Sequence, residues 1–442
     1  MRSPDPGSPA LKRWLTRLES RHDKPIDLGL GRCGAVYRRL GSPRPGRHVI
    51  TVAGTNGKGS TVAWAAATLS LLGKRQGTYT SPHLLRFNER VRIDGVPVDS
   101  ATLVDAFEAV EAARQDTSLT YFEFTTLACF LVMSRADLDV AVLEVGLGGR
   151  LDTVNLVDAD VAVITPIGLD HQAYLGEDRY TIGREKAGIL REGITLVTSE
   201  PHPPLSVLED AELLGCRVLR AGRDFRLEDG DSGELVLHLH GQRYPFRTPL
   251  LGGAHQRDNL AAGMTAALSL VPVGEALPEA VATGLVEAHV PGRLEPVGDA
   301  PGYLVDVGHN PLAAAVVAEV LAQRASRCTC VLGMLRDKDA ESVARLLAPH
   351  VEAFLCAGLK EGWRAQTGHE LAERVRTVAG DIPVKAFPTV RGALAEARRR
   401  SEGERCVLVF GSFHTAAEAF QWLHERGLER RPGPAHALAS AC

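Results

Sequence analysis

A chain of 442 residues, 45% hydrophobic and 24% charged, is too long for one ordinary core and suits two domains of about 100 to 200 residues each. That composition excludes a disordered or fibrous protein, and a net charge of -4 excludes a general nucleic-acid binder, so the ligand is expected to be small. The eight cysteines include no CxxC pair, and the start lacks an apolar targeting core. No run approaches the ~18 apolar residues of a membrane span, so a cytoplasmic protein with reduced core thiols and no membrane partner is expected.

From about residue 48, short apolar runs alternate with helical patterns, the habit of a parallel sheet covered by helices. Strands are expected at 48–54, 76–81, 139–146, 161–168 and 195–199, with a helix over 58–72 after the first. Between 225 and 251, polar alternation broken by Asp-Gly and Ser-Gly predicts small antiparallel hairpins appended to the sheet. Helices over about 256–271 and 275–288 follow. The pattern then breaks at Val290-Pro-Gly-Arg293, and a new βα series begins: YLVDVG, a helix from Pro311, CTCVLGML, VEAFLCA and CVLVFGSF. The fold class is therefore α/β. An N-terminal parallel-sheet domain (1–295), which its glycine loop at 54–60 makes a P-loop-type ATPase domain in expectation, is expected to precede a C-terminal Rossmann-like domain (296–442).

The run GTNGKGS, Gly54, Thr55, Asn56, Gly57, Lys58, Gly59 and Ser60, is almost a phosphate-binding loop, but its spacing is not the standard one. Its place between a buried strand and a helix suits phosphate: glycines let backbone N–H groups approach, and the helix N-terminus adds positive potential. Lys58 would reach the β and γ phosphates, and the Ser60 hydroxyl could hold Mg²⁺. A glycine-rich turn with no ligand is the plain alternative.

Ser81, Glu144 and the pair Asp170-His171 fall at or just after the ends of the next strands. In an open parallel sheet those ends share one edge, where ligands bind. Each residue has an ordinary structural reading alone; together with the loop they read as magnesium ligands. Lys186 lies on an expected helix, and composition alone reads it as a solvated lysine. The glycines of GLGGR (146–150) read as turn residues, since the dinucleotide spacing is absent.

The runs VAGTNGKGST (52–61), YTSPHLLRFNERVRIDG (79–95), LTYFEF (119–124), LEVGLGGRLDTVN (143–155), LDHQAYLG (169–176), GREKAGI (183–189), PGRLE (291–295), DVGHNP (306–311) and GMLRDKD (333–339) resemble one family in its own order. It is the folylpolyglutamate synthase and dihydrofolate synthase family, the folate branch of the Mur ligase superfamily. The LTYFE run and DLGLGR (27–32) are similar to its bifunctional bacterial members.

The resemblance implies ATP on the glycine loop, with Asn259, Arg293 and Asp306 also contacting it, and magnesium, as two ions, among Ser60, Ser81, Glu144, His171 and Lys186. It implies that Lys186 is N6-carbamylated, that His309 acts near the nucleotide, and that Lys58, Lys186 and His309 are the catalytic set. It further implies a dihydropteroate pocket at Ile26, Asp27, Leu28, Thr120, Tyr121, Phe122, Glu123, Leu151, Asp152 and Thr153. The partners would be dihydropteroate, reduced folates and L-glutamate, bound by a monomer. The expected reaction is ATP-dependent amide formation through an acyl phosphate. A folylpolyglutamate synthase alone and a nucleotide-binding relative without turnover are the alternatives.

Overall fold

The strand His48–Ala53 (β1) is apolar on both faces and buried from Val49 onward, the signature of a central parallel strand. The computed structural model describes residues 8–24, 26–230, 234–248, 254–270, 288, 290–298, 302–324, 327–360, 362–401, 406–428 and 430. They form two compact units, Met1–Thr248 with Arg257–Ala288, and Pro249–Gln256 with His289–Cys442.

In the first unit, helices α1 (Pro9–Glu19) and α2 (Gly31–Arg39) precede β1, and α3 (Lys58–Leu71) follows it. The strands β2 (Gln76–Tyr79), β3 (Val91–Ile93) and β4 (Val96–Pro97) come next, then α4 (Ser100–Arg114), α5 (Tyr121–Ser134), β5 (Val140–Glu144) and β6 (Val161–Ile164). The short α6 (Gln172–Leu175) leads to α7 (Arg179–Ala187), β7 (Thr195–Thr198), α8 (Leu205–Leu213) and β8 (Arg217–Arg220). The eight strands lie in the order β4-β3-β2-β5-β1-β6-β7-β8, parallel from β2 to β8 with β3 and β4 antiparallel at one edge. The chain leaves β1 between β5 and β6, so the loop after it opens at the crevice where open α/β sheets bind ligands.

The expected hairpins are present as β9 (Phe225–Asp229), β10 (Leu235–Leu239) and β11 (Gln242–Phe246). They form a separate three-stranded antiparallel sheet and do not extend the large one, which corrects the expectation that they were appended to it. Helix α9 (Ala254–Leu268) follows, while the expected helix 275–288 lies almost wholly outside the described residues. A Cβ on Gly263 would stand 2.8 Å from Thr61 O and Ala65 N, so glycine there lets the α9 backbone lie directly on α3. One core runs under α1, α4 and α5, where Phe107, Phe124, Phe87 and Trp14 meet edge-on or stacked at centroid separations of 5.6–6.1 Å. Burying each such ring contributes about 2 kcal/mol.

The second unit has its own core and a six-stranded sheet. Its strands are β12 (Glu295–Val297), β13 (Tyr303–Val305), β14 (Cys328–Leu332), β15 (Val351–Ala357), β16 (Val384–Phe387) and β17 (Val407–Phe410), in the order β12-β13-β17-β14-β15-β16. All but β12 are parallel, and helices intervene, as the βα series predicts.

Candidate active site

The loop after β1 is held open by two glycines that no other residue could replace. Gly54 has φ +147°, and a Cβ there would overlap Thr165 Oγ1 at 1.7 Å; Gly57 has φ +88°, and a Cβ there would meet Asn259 Oδ1 at 2.3 Å. Asn259 of α9 thus packs on the loop it was expected to assist. Thr55 N–H donates to Pro166 O at 3.0 Å, and its hydroxyl donates to Gly168 O at 3.1 Å, which ties the loop to the chain leaving β6. Gly54→Ala should therefore distort the loop, with a backbone strain of about 1–3 kcal/mol added to the clash. Thermal unfolding and titration with an ATP analogue check this; unchanged melting and binding would refute it.

Lys58 opens α3 and bends back over the loop, its Nζ donating to Gly54 O at 3.2 Å and Thr55 O at 3.1 Å. Lys186 Nζ donates to the same Gly54 oxygen at 2.8 Å. Lys186 is only 3% exposed, so the solvated-surface reading of this lysine is wrong: α7 turns it inward under the loop. Burial lowers its pKa to about 7, helped by the charge of Lys58 and opposed by Asp170 and Asp152. A substantial fraction of the amine is then neutral near pH 7, and a neutral amine is the nucleophilic form.

Glu144, at the end of β5, is 6% exposed and accepts from Ser81 N–H at 3.1 Å. A Cβ on Gly59 would stand 3.5 Å from Glu144 Oε2, so the glycine keeps open the space between loop and carboxylate. Ser60 is fully buried on the first turn of α3. His171, in the left-handed region at φ 51°, caps α6, and its N–H donates to Asp170 Oδ1 at 2.9 Å. The structure thus brings the loop, Ser81, Glu144, Lys58, Lys186 and Asn259 together, with His171 in the segment after β6.

One carboxylate and serine hydroxyls suit a hard cation, and among the described residues no three His, Cys, Asp or Glu side chains converge as a metal cage. This donor set fits Mg²⁺ whose remaining positions are taken by phosphate oxygens.

The ten pteroate candidates fall on three elements. Arg32 of α2 pairs with Asp27 and also donates to Glu123 Oε2 at 3.0 Å, while Glu123 accepts from Thr120 N–H at 2.8 Å in the capping box of α5. Asp152 accepts from Leu147 N–H at 2.8 Å and Val154 N–H at 2.9 Å; burial raises its pKa to about 6, offset in part by those amides. Phe122 lies where a Cβ on Gly146 would be, 2.5 Å from its ring, and Asp152 Oδ2 lies 3.2 Å from the same point. Ile26 and Leu28 flank Asp27, and Leu151 and Thr153 flank Asp152. The sequence reading passed over Arg32, the residue that joins Asp27 to Glu123; its one signal is its place in the quoted DLGLGR run.

The loop carrying Leu151 to Thr153 is fastened to α7. Arg150 N–H donates to Glu185 O at 2.8 Å, Asn155 Nδ2 donates to Gly188 O at 3.0 Å, and a Cβ on Gly149 would strike Lys186 O at 2.8 Å.

In the second unit, Asp306 accepts from Leu294 N–H at 2.8 Å and Gly308 N–H at 2.6 Å, and Arg293 lies over the Phe413 ring at 5.6 Å. His309 Nδ1 donates to Val307 O at 3.1 Å, which fixes its tautomer when neutral. Arg293, Asp306 and His309 thus share one turn region at the ends of β12 and β13.

The class is defined by two domain models. The Mur ligase middle domain matches residues 52–267, and the Mur ligase glutamate ligase domain matches residues 292–413. The chain is 39% identical over 427 residues to the dihydrofolate synthase/folylpolyglutamate synthase of Escherichia coli (strain K12), covering 96% of this chain and 98% of that protein. It is also similar to the solved structure of E. coli FolC in complex with DHPP and ADP, at TM-score 0.85 and 38% identity, covering 96% of this chain and 100% of that one. A bifunctional folylpolyglutamate synthase/dihydrofolate synthase structure with Mn, AMPPNP and L-glutamate bound matches at TM-score 0.83, 38% identity and the same coverage. The chain belongs to the dihydrofolate synthase/folylpolyglutamate synthase family.

Proposed function

We propose that this chain is an ATP-dependent amide ligase that adds L-glutamate to dihydropteroate, giving dihydrofolate, and to the γ-carboxylate of reduced folates. The observation that carries the reading is the convergence of Lys58 and Lys186 on the Gly54 carbonyl, beside a carboxylate that faces Gly59. The bifunctional names of the relatives support both activities.

The substrate carboxylate attacks the γ-phosphorus, ADP leaves, and the acyl phosphate is then opened by the glutamate amine with loss of phosphate and a proton. Both steps bring anions together, so positioning and neutralisation do most of the work. Gly54 to Ser60 cradle the phosphates, Lys58 swings from the loop carbonyls onto them, and Asn259, Arg293 and Asp306 hold the rest of the nucleotide. Magnesium, when bound, supplies Lewis-acid neutralisation of phosphate charge. Ser60, Ser81, Glu144, His171 and a carbamylated Lys186 would hold it, as two ions. The buried, half-neutral amine supports the carbamate, because only a neutral amine adds to CO₂ and only the carboxylate-like product suits a cation. His309 acts near the nucleotide.

Residues 26–28, 120–123 and 151–153 bind the pteroate. Residues 1–295 serve as the ATP-binding and central domain and 296–442 as the glutamate ligase domain. We take the enzyme to be a cytoplasmic monomer; the seven free cysteines among the described residues support a reducing compartment.

With ATP, Mg²⁺, L-glutamate and dihydropteroate, the purified chain should release ADP and form dihydrofolate; the same assay with a reduced folate should lengthen its glutamyl tail. Saturating substrate with no dihydrofolate formed would remove the first activity and leave a folylpolyglutamate synthase.

A further inference from the structure

Arg90 closes the 3₁₀ turn Phe87–Arg90 and is 7% exposed, yet among the described residues no carboxylate lies within ion-pair distance of it. Its Nε donates to His83 Nδ1 at 3.1 Å, and its Nη1 is buried with no partner. The guanidinium carbon lies 5.1 Å from the centroid of Phe87 and 5.6 Å from that of Tyr121, two rings that meet each other edge to face. The neighbouring acid is not available to it: the two oxygens of Glu89 accept from the N–H groups of Leu84, Leu85 and Arg86 at 2.8–3.1 Å. A buried guanidinium without a counter-anion is strongly unfavourable. The two rings, set edge to face at 80° to each other, hold the guanidinium carbon in place without neutralising it, so the charge and the Nη1 donor stay unmatched.

The position of this unmatched edge is informative. Tyr121 stands on the first turn of α5, beside Phe122 and Glu123 of the pteroate candidates, while Thr80 N–H, one residue before Ser81, donates to Arg90 O at 2.9 Å. Arg90 therefore lies where the pteroate elements meet the strand end that carries the metal candidates. A pteroate or folate placed by those elements has its carboxylate end turned toward the phosphates.

We propose that Arg90 binds a carboxylate of the pteroate or folate substrate and fixes the acceptor end for attack on the nucleotide. The proposal rests on the function proposed above. Arg90 is a specificity determinant here: a buried, uncompensated guanidinium recognises a planar carboxylate and discriminates against its neutral amide.

The test compares binding of pteroate and pteroate carboxamide to the full chain in the presence of ADP and Mg²⁺. The wild-type protein should prefer the carboxylate by about tenfold or more, the scale of a charge-assisted pair. Arg90→Gln should reduce that preference to about threefold or less, and Arg90→Lys should restore part of it. In turnover assays Arg90→Gln should raise KM for dihydropteroate and reduced folate by about tenfold or more, with KM for ATP and L-glutamate changed by less than about twofold. Equal binding of acid and amide by the wild-type protein overturns the proposal without any variant, so a misfolded Arg90→Gln does not shelter it. Full discrimination in a folded Arg90→Gln, or a selective rise in KM for L-glutamate, overturns it as well. A wild-type protein that binds ATP but no pteroate at all removes the proposed function itself, an outcome distinct from equal binding of the two ligands.

Discussion

Lys186→Ala should lower turnover by on the order of a thousandfold while leaving the protein folded. The side chain is buried and reaches the Gly54 carbonyl at 2.8 Å, so its loss empties a site beneath the phosphate loop and does not disturb a surface contact. Two physical roles are possible for a lysine there, and they predict different rescue. As a simple cation it would neutralise phosphate beside Lys58, and added ammonium or amines would restore activity. As a carbamate it would present oxygens to a cation, and short carboxylates would restore activity instead. A carbamate at Lys186 predicts carboxylate rescue, together with a fall in wild-type activity when CO₂ is rigorously removed. Near-normal turnover of the plain alanine variant would defeat both roles.

Glu144→Gln should be nearly as damaging, and for a cleaner reason. The amide oxygen of glutamine can still accept from Ser81 N–H, so the strand end keeps its hydrogen bond and the fold survives. The negative charge facing the gap at Gly59 disappears. A Mg²⁺ site built on one carboxylate, serine hydroxyls and phosphate loses its only formal protein charge apart from a carbamate. Activity should fall by on the order of a hundredfold or more and shift to higher Mg²⁺ concentration. Titrating activity against Mg²⁺ at fixed ATP reads the shift directly; an unchanged Mg²⁺ dependence would remove Glu144 from the metal site.

The parallel strands were legible because they are buried on both faces, which leaves apolar runs such as Val161–Ile164 and Val49–Ala53, the latter broken only by Thr51. Ser81 and Glu144 were legible because they follow such runs, and sheet geometry then places them on one edge. Helix α5 was not, since YFEFTTLACFLVMS is apolar all round and buried along most of its length, with no polar face to set a period of 3.6. Lys186 was misread by composition for a related reason: its burial is imposed by the packing of α7 under the loop, and nothing in the helix itself announces it. Arg32 and Arg90 lay inside quoted runs, but the feature that distinguishes each is a partner, or the want of one, supplied by distant chain.

The fastening of the 150–155 loop to helix α7 has a bearing on how this enzyme could be altered. The Arg150, Asn155 and Gly149 contacts make the segment proposed to bind the acceptor and the helix bearing Lys186 one mechanical piece. A change at Leu151 or Asp152 meant to admit another acceptor would therefore shift Lys186 as well, and selection for new specificity there would be opposed by lost turnover. The Asp27–Arg32–Glu123 group hangs on α2 and the start of α5, which themselves pack on the turn Thr153–Leu156. A change on that side reaches the same loop through Phe122 and Asp152, which meet beside Gly146, so acceptor recognition would be coupled to the chemistry from both directions.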